Sequence, residues 1–288
     1  MNTAARLAAI SIASSAFLAA LNIFLGWRGG STSVTAAGIE FAGDVLTSSI
    51  VLFGTMLATK PADENHPYGH GRIETLAGLL VGMILLLTGV LIGLRSLRNV
   101  TLIQRAPEEY TMWPLAVAVL VKSVLSATKF HFGRRVRSAA LVADAWNDAV
   151  DILSGMAAMG ALALALSDPT RFLAADHYGG FAVGLIVIYT GLRVTRDASL
   201  ELIDTMPDPA LIDQIRTAAR EVEGVWDIEK IRGRKTGFQY HIDLHLEVDP
   251  TLSVQQAHVV AGRVRHRVRE LLPAVADVLV HIEPGRSS

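Results

Sequence analysis

Long apolar segments alternate with short polar ones over the first two thirds of the chain. A helix that crosses a bilayer needs about 20 mostly apolar residues. Six segments have or approach this length: Leu7–Trp27, Val34–Thr59, Thr75–Leu94, Met112–Thr128, Ser138–Leu166 and Phe172–Leu192. We therefore predict six transmembrane helices. The first segment follows Arg6 and has a signal peptide as its alternative, but its apolar run exceeds a usual signal sequence and more spans follow.

The pattern changes after about residue 197, where charged residues return. Apolar spacing there predicts two helices and three strands: Pro209–Glu223, Trp226–Arg232, Tyr240–Val248, Ser253–Leu272 and Val275–Ile282. Gly237 marks a turn, and the order αββαβ predicts a small, metallochaperone-like α+β domain. The expected fold class is an α-helical membrane protein, with six transmembrane helices in residues 1–206 and a cytoplasmic domain in residues 207–288.

Composition and charge narrow the function. Hydrophobic residues make up 51% of the 288 residues and charged residues 18%, against about 25% charged in a typical soluble domain. The net charge of -1 argues against a nucleic-acid partner. There is no cysteine, so any metal site must use imidazole and oxygen ligands. Lys and Arg near the span ends are more numerous on the side that holds both termini, which predicts cytoplasmic termini at a cell (inner) membrane.

Acidic residues interrupt two of the apolar segments. Glu40 and Asp44 are four residues apart in the second segment, and Asn147 and Asp151 are four apart in the fifth. This spacing puts each pair on one helix face. An ionisable group at the bilayer centre costs at least about 2.5–3.5 kcal/mol on insertion scales. We predict that the two pairs face each other and hold a divalent cation; the alternative is a set of protonated or hydrated carboxylates that help the helices associate.

Three further charges lie in the predicted spans. Asp144 and Asp148 flank the fifth-segment pair, where they either surround the ligands or mark the cytoplasmic end of the helix. Lys122 lies in the fourth segment. Long lysine side chains often reach from a span to the interface, and we expect this snorkelling for Lys122.

The loop after the second segment carries a second candidate site. Asp63, His66 and His70 are spaced three and four apart in the sequence DENHPYGHGR. Two imidazoles and a carboxylate within eight residues make a reasonable metal-ligand set. The alternative is a structured loop whose histidines hydrogen-bond to the backbone.

Three motifs together resemble the cation diffusion facilitator family. They are HPYGHGRIETLAG at residues 66–78, the E-x-x-x-D of Glu40–Asp44 and ADAWNDAVD at residues 143–151. The resemblance implies a homodimer of six-span protomers in a lipid bilayer, with both termini cytoplasmic. It also implies efflux of Zn²⁺, Mn²⁺, Fe²⁺ or Co²⁺, usually in exchange for protons.

The resemblance also assigns residues to sites. It places the transport ligands at Glu40, Asp44, Asn147 and Asp151, the loop site at Asp63, His66 and His70, and the tail site at His245, His258, His281 and Glu283. Arg72 and Asp204 match the family's charge pair between the loop and the end of the sixth span. Trp226 stands where a tail histidine is common, so a complete binuclear tail site is not expected.

The ligand types favour particular metals and a particular mechanism. Carboxylate and amide oxygens suit Mn²⁺ and Fe²⁺, whereas Zn²⁺ would favour imidazole. We expect alternating access, with protons displacing the metal from the carboxylates and metal in the tail acting as a regulator. The alternatives are a membrane-anchored metal sensor or scaffold and a membrane zinc hydrolase. The hydrolase would want an H-E-x-x-H motif, which this sequence lacks, so we do not expect an enzyme.

Overall fold

The computed structural model describes residues 3–100, 106–135 and 139–285; within these, the side chains at 3–8, 51, 52, 55, 133, 139–144 and 170 are not described. Six long helices come first: α1 (Thr3–Arg28), α2 (Thr32–Ala58), α3 (Arg72–Val100), α4 (Met112–Arg135), α5 (Ala139–Ser167) and α6 (Pro169–Leu202). A 3-10 turn at Glu109–Thr111 precedes α4. These helices confirm the six predicted segments, and several extend beyond their predicted ends by one or more turns.

Five of these helices meet the length and hydropathy of a membrane span when only the described residues are considered. The remaining one, α2, has 27 residues and so a length of about 40 Å at 1.5 Å per residue, which is enough to cross. Part of its apolar run lies at side chains that are not described. In α6, Phe172 departs from helical geometry (φ −116°, ψ 15°), which kinks the first turn.

The membrane helices share an apolar core. Fully buried side chains from five helices pack into it: Leu18, Phe41, Leu115, Leu162 and Val183. Glycine allows α3 and α6 to approach closely. A Cβ at Gly184 would lie 2.9 Å from the backbone nitrogen of Gly93, and one at Gly191 would lie 2.7 Å from that of Leu86. Small residues at such crossings are typical of membrane helix packing, where close backbone approach stabilises the pair.

The tail folds around its own core. It contains α7 (Pro209–Arg220), β1 (Asp227–Thr236), β2 (Gln239–Val248), α8 (Val254–Leu271) and β3 (Val275–Pro284), which confirms the predicted αββαβ order. The sheet order is β1-β2-β3, with β1 and β2 antiparallel and β2 and β3 parallel. Gly237 has a φ of 61°, as a tight hairpin turn requires. Ser253 and Gln256 form a capping box that starts α8.

The chain forms two compact units. One comprises residues 1–52 and 80–195, and holds most of each membrane helix. The other comprises residues 53–79 and 196–288, so it combines the loop between α2 and α3, the end of α6 and the tail. The acidic residues of the spans therefore belong to the first unit, and the histidines of the loop and tail to the second.

Candidate metal centres

Acidic side chains from α2 and α5 converge on one buried lysine of α4. The Lys122 ammonium (Nζ) lies 2.6 Å from Asp151 Oδ2, 3.1 Å from Asp44 Oδ2 and 3.2 Å from Asp148 Oδ1. Lys122 is 1% exposed, and its ammonium also lies 5.4 Å from the centroid of the Phe41 ring. The sequence-based expectation that Lys122 reaches the interface is therefore wrong. Three carboxylates within ion-pair distance hold the ammonium inside the helices, where it offsets their charge.

Glu40 lies one turn from Asp44 on α2 and is also buried. Its Oε2 accepts a hydrogen bond of 2.6 Å from the hydroxyl of Ser154, one turn beyond Asp151 on α5. The structure thus brings together three of the four predicted transport ligands, Glu40, Asp44 and Asp151, between the same two helices. The fourth, Asn147, is exposed at the edge of the buried stripe of α5.

A second buried lysine extends the cluster. Lys129 lies two turns beyond Lys122 on α4, and its ammonium is 2.5 Å from Asp148 Oδ2. It also donates to the hydroxyl of Ser11 on α1 at 2.8 Å. Asp148 therefore bridges the two lysines rather than marking a helix end. The side chain of Asp144 lies outside the described residues.

Sequence reasoning missed the lysines as partners of the acids. The available signal was their spacing: Lys122 and Lys129 are seven residues apart, which puts them on one face of α4. Asp148 and Asp151 are three apart on α5, which also share a face. Two facing stripes of opposite charge favour ion pairs between the helices over lysine side chains that extend to the membrane interface.

The buried Asp176 of α6 was also not singled out. Its carboxylate accepts hydrogen bonds from the Ser31 hydroxyl at 2.7 Å, from the backbone N–H of Thr32 at 2.6 Å and from the Ser33 hydroxyl. These groups form the start of α2, so Asp176 caps that helix from a distant part of the chain. The contact fixes the end of α2 nearest to Glu40.

The predicted loop ligands lie together in the second unit. Asp63 Oδ1 is 3.1 Å from His66 Nδ1, and Asp63 Oδ2 is 3.5 Å from His70 Nε2. One ligand atom from each residue lies within 4.8 Å of the others, a spacing that a single metal ion could bridge. The backbone N–H of His66 donates to Asp63 and lowers the pKa of this carboxyl, which keeps it ionised.

The tail holds a second such cluster. His245 of β2 and His281 of β3 are paired in register, which places both imidazoles on one face of the sheet. His245 Nδ1 is 2.6 Å from Glu283 Oε1, and His281 Nε2 is 3.8 Å from the same oxygen. Hydrogen bonds with Glu229 and then His245 lower the pKa of Glu283. The ligand atoms of His245, His281 and Glu283 again lie within 4.8 Å of one another.

Two family models match the chain over these same regions. The model of the cation efflux transmembrane domain matches residues 8–203, more than half of the chain, and that of the cation efflux protein cytoplasmic domain matches residues 207–285. The chain belongs to the cation diffusion facilitator family. It is therefore an integral membrane protein of a family of metal efflux transporters, which are not enzymes, and a divalent metal ion is its substrate.

Individual relatives of this cation diffusion facilitator span nearly the whole molecule. The manganese efflux system protein MneP of Bacillus subtilis is 27% identical, over 97% of this chain and 95% of its own length. The magnetosome protein MamB of Magnetospirillum gryphiswaldense is 28% identical, over 91% and 87% respectively. A solved MamM C-terminal domain is 29% identical and covers 26% of this chain and 96% of its own, with a TM-score of 0.26.

Other residues that the family resemblance singled out are not part of these histidine clusters. Arg72 donates to Asp204 Oδ1 at 2.8 Å, and both side chains are substantially exposed. His258 lies on α8 and is exposed, and it is not part of the His245 cluster. The Trp226 ring packs so closely on Gly285 that a Cβ at this position would clash with the ring. Trp226 thus lies beside the end of β3, close in sequence to Glu283.

Proposed function

We propose that this transporter exports Mn²⁺ or Fe²⁺ from the cytoplasm through Glu40, Asp44 and Asp151, with Asn147 as the candidate fourth ligand. The observation that carries the proposal is the convergence of buried carboxylates from α2 and α5 around one cationic group, the Lys122 ammonium. Buried carboxylates need a compensating cation. A divalent metal ion supplies that charge, and it can bridge oxygens of both helices at once.

The choice of metal follows from the ligand atoms. The candidate ligands offer only carboxylate and amide oxygen, the donors that suit Mn²⁺ and that Fe²⁺ tolerates. A site for Zn²⁺ would be expected to include imidazole. The relative MneP, whose name describes a manganese efflux system, supports this choice. Zn²⁺ and Co²⁺ are the competing substrates that an assay must include.

The proposed mechanism is alternating access with proton exchange. The carboxylates bind the metal from the cytoplasmic side, and a rearrangement of the helices turns the site to the other side. Protons that enter from there compete with the metal for the same carboxylate oxygens, because a metal ligand must be deprotonated. Protonated carboxyls can then return without a metal ion. In this scheme both termini lie in the cytoplasm and the transporter lies in the inner membrane.

The histidine clusters take a separate role in this proposal. We place the transport domain in residues 1–206 and a dimerising, metal-binding domain in residues 207–288. The loop cluster (Asp63, His66 and His70) and the tail cluster (His245, His281 and Glu283) bind metal as regulators, and a homodimer brings two tails together. Metal bound there would bias the equilibrium between transport states by binding one state more tightly than the other.

The test is metal flux into proteoliposomes that contain the full chain. Mn²⁺, Fe²⁺, Co²⁺ and Zn²⁺ are supplied in parallel while an internal dye records pH. We expect Mn²⁺ or Fe²⁺ to move fastest, with a pH change of the sign that proton exchange requires. Flux led by Zn²⁺ would contradict the metal assignment, and flux without a pH change would contradict the exchange.

A matched pair of variants tests the site itself. Asp151→Asn removes a buried carboxylate charge but keeps the size of the side chain, whereas Asp213→Asn makes the same change on the exposed face of α7. We expect Asp151→Asn to abolish flux of every metal and Asp213→Asn to leave it unchanged. Equal flux in both variants would show that the ion crosses elsewhere.

A further inference from the structure

Lys122 occupies the carboxylate oxygens that the transported ion would need. Its ammonium is within 3.1 Å of one oxygen each of Asp44 and Asp151. Two cations cannot share these oxygens without strong repulsion, because the distance between them would be only a few ångströms. Metal binding therefore requires the ammonium to move.

The surroundings of Lys122 restrict where it can go. The side chain is buried, so a move of its charge into water would require a large opening of the helices. Asp148 is the neighbouring acceptor that the proposed site does not use, and it already lies 3.2 Å from the ammonium. Lys129 holds the other oxygen of Asp148. Asp148 is thereby held between the two ammonium groups.

The number of charges in the cluster is consistent with an ammonium that moves aside for the metal ion but stays in the cluster. Among the described residues of the cluster, Glu40, Asp44, Asp148 and Asp151 supply four carboxylates, and Lys122 and Lys129 supply two ammonium groups. With all of these groups ionised, the excess is two negative charges. One divalent cation balances that excess only if both ammonium groups remain in the cluster.

We propose that Lys122 is a tethered counter-cation that the transported ion displaces from Asp44 and Asp151 toward Asp148, and that returns when the ion leaves. The ammonium keeps its proton throughout, so the exchange moves a charge and not a proton. Lys122 thus lowers the affinity of the site for metal and promotes release. This inference rests on the proposed transport site.

The first test replaces the charge. Mn²⁺ binding to the detergent-solubilised full chain is followed by electron paramagnetic resonance of free Mn²⁺. We define the transport component as the part of this binding that is lost in Asp151→Asn. We expect Lys122→Met to bind Mn²⁺ about tenfold more tightly at this component, because a competing like charge is gone. In proteoliposomes the same variant should show a lower KM together with a lower kcat. Unchanged or weaker binding would overturn the inference.

The second test removes the alternative acceptor. With Lys122 present, Asp148→Asn should weaken Mn²⁺ binding by about tenfold, because the displaced ammonium loses its new partner. In the Lys122→Met background, Asp148→Asn should have little effect. If Asp148 were itself a metal ligand, Asp148→Asn would weaken binding in both backgrounds, and that result would overturn the inference.

Controls separate a charge effect from a folding effect. Lys129→Met makes the same change on the same face of α4, at a lysine that pairs with Asp148 and donates to the Ser11 hydroxyl. It should not tighten Mn²⁺ binding. Lys122→Gln, which keeps a hydrogen-bond donor without charge, replaces Lys122→Met if the latter does not fold.

The outcomes also separate this inference from the function on which it rests. If Asp151→Asn removes no Mn²⁺ binding, the proposed transport site is wrong. If it removes one component but neutral variants of Lys122 do not tighten that component, the transport site stands and the tethered counter-cation is wrong.

Discussion

The cluster between α2, α4 and α5 and the cluster in the tail both contain titratable side chains, but in opposite surroundings. In the spans, Lys122 and the carboxylates of Asp148 and Asp151 are at most 5% exposed at the side chain. In the tail, His245 and Glu283 are more than a quarter exposed, and His281 is exposed by two thirds. Water can compensate a charge in the tail, whereas each charge in the spans needs a partner within the protein.

This contrast assigns different physical roles to the two regions. A buried charge that loses its partner destabilises a protein by about 3–5 kcal/mol, whereas an exposed ion pair contributes about 0–1 kcal/mol. Gain or loss of a cation in the spans therefore changes the energy of the helix arrangement itself. Gain or loss of a cation in the tail changes mainly the local geometry of the sheet edge. This difference supports our proposal that the first region transports the metal and the second regulates transport.

The largest expected difference between the regions is in metal flux. Asp151→Ala should reduce Mn²⁺ uptake into everted vesicles by about a hundredfold or more, because a ligand and its charge are both lost. His245→Ala should reduce uptake only a few-fold at saturating metal. Equal losses in the two variants, at equal amounts of protein in the membrane, would contradict the separation of transport from regulation.

Stability should differ in the same direction. Lys122→Ala leaves Asp44 and Asp151 without their shared cation and Asp148 with Lys129 alone, and we expect a loss of about 3–5 kcal/mol in the free energy of unfolding. Arg72→Ala removes the exposed pair with Asp204 and should cost about 1 kcal/mol or less. Unfolding in a denaturing detergent, followed by tryptophan fluorescence, measures both. Similar costs for the two variants would show that the span cluster is better hydrated than its burial indicates.

A smaller effect is expected for metal affinity in the tail. Glu283→Gln removes the carboxylate charge beside His245 and His281, and we expect about a 10–100-fold weaker affinity at that site. Calorimetric titration with Mn²⁺ or Zn²⁺, in a background that lacks Asp151 and His70, resolves the tail component. His258→Ala is the informative comparison, because that exposed histidine lies outside the cluster and should change the affinity less.

The smallest effect concerns pH and the fold of the tail. Burial, and then the nearby Arg234, lower the pKa of His241, whose ring also contacts Tyr68 at a centroid distance of 5.9 Å. The unfolded chain then binds a proton at His241 more readily than the folded chain does. His241 therefore supports folding above the unfolded pKa of about 6.5, and that support is lost as the pH falls.

Hydrogen exchange of β2 in the full chain measures this dependence. Protection, corrected for the intrinsic rate, should decrease between pH 7.5 and pH 5.5, and the decrease should be smaller in His241→Gln. An identical decrease in both chains would mean that other groups of the tail carry the pH dependence.

The fold could be predicted from the sequence because its signals are local. The length of each apolar run, the alternation in residues 240–248 and the capping residue Ser253 each determine an element within a few residues of themselves. The charge pattern also predicted that Glu40, Asp44 and Asp151 lie close together between two helices, as the structure has them. Their exact role as transport ligands stays a prediction.

The partners of those acids depended on packing, which the sequence does not display. Lys122 was expected to reach the interface because a lone lysine in an apolar segment usually does. Only the packing of α4 against α5 shows that Asp148 and Asp151 hold it inside. For Asn147 and His258 the error is the opposite one: the sequence predicted a ligand, and the structure shows an exposed side chain. Each has a suitable residue type and spacing, but the rotation of its helix leaves it on an exposed face.

The location of the bound ion would show whether the spans or the histidine clusters hold the transported metal. Anomalous scattering at the manganese edge, from crystals of the full chain grown with Mn²⁺, should show a peak between the carboxylates of Asp44 and Asp151, and that peak should be absent in Asp151→Asn. Peaks confined to the histidine clusters of the loop and tail, with the Lys122 ammonium still between Asp44 and Asp151, would contradict a carboxylate transport site in the spans.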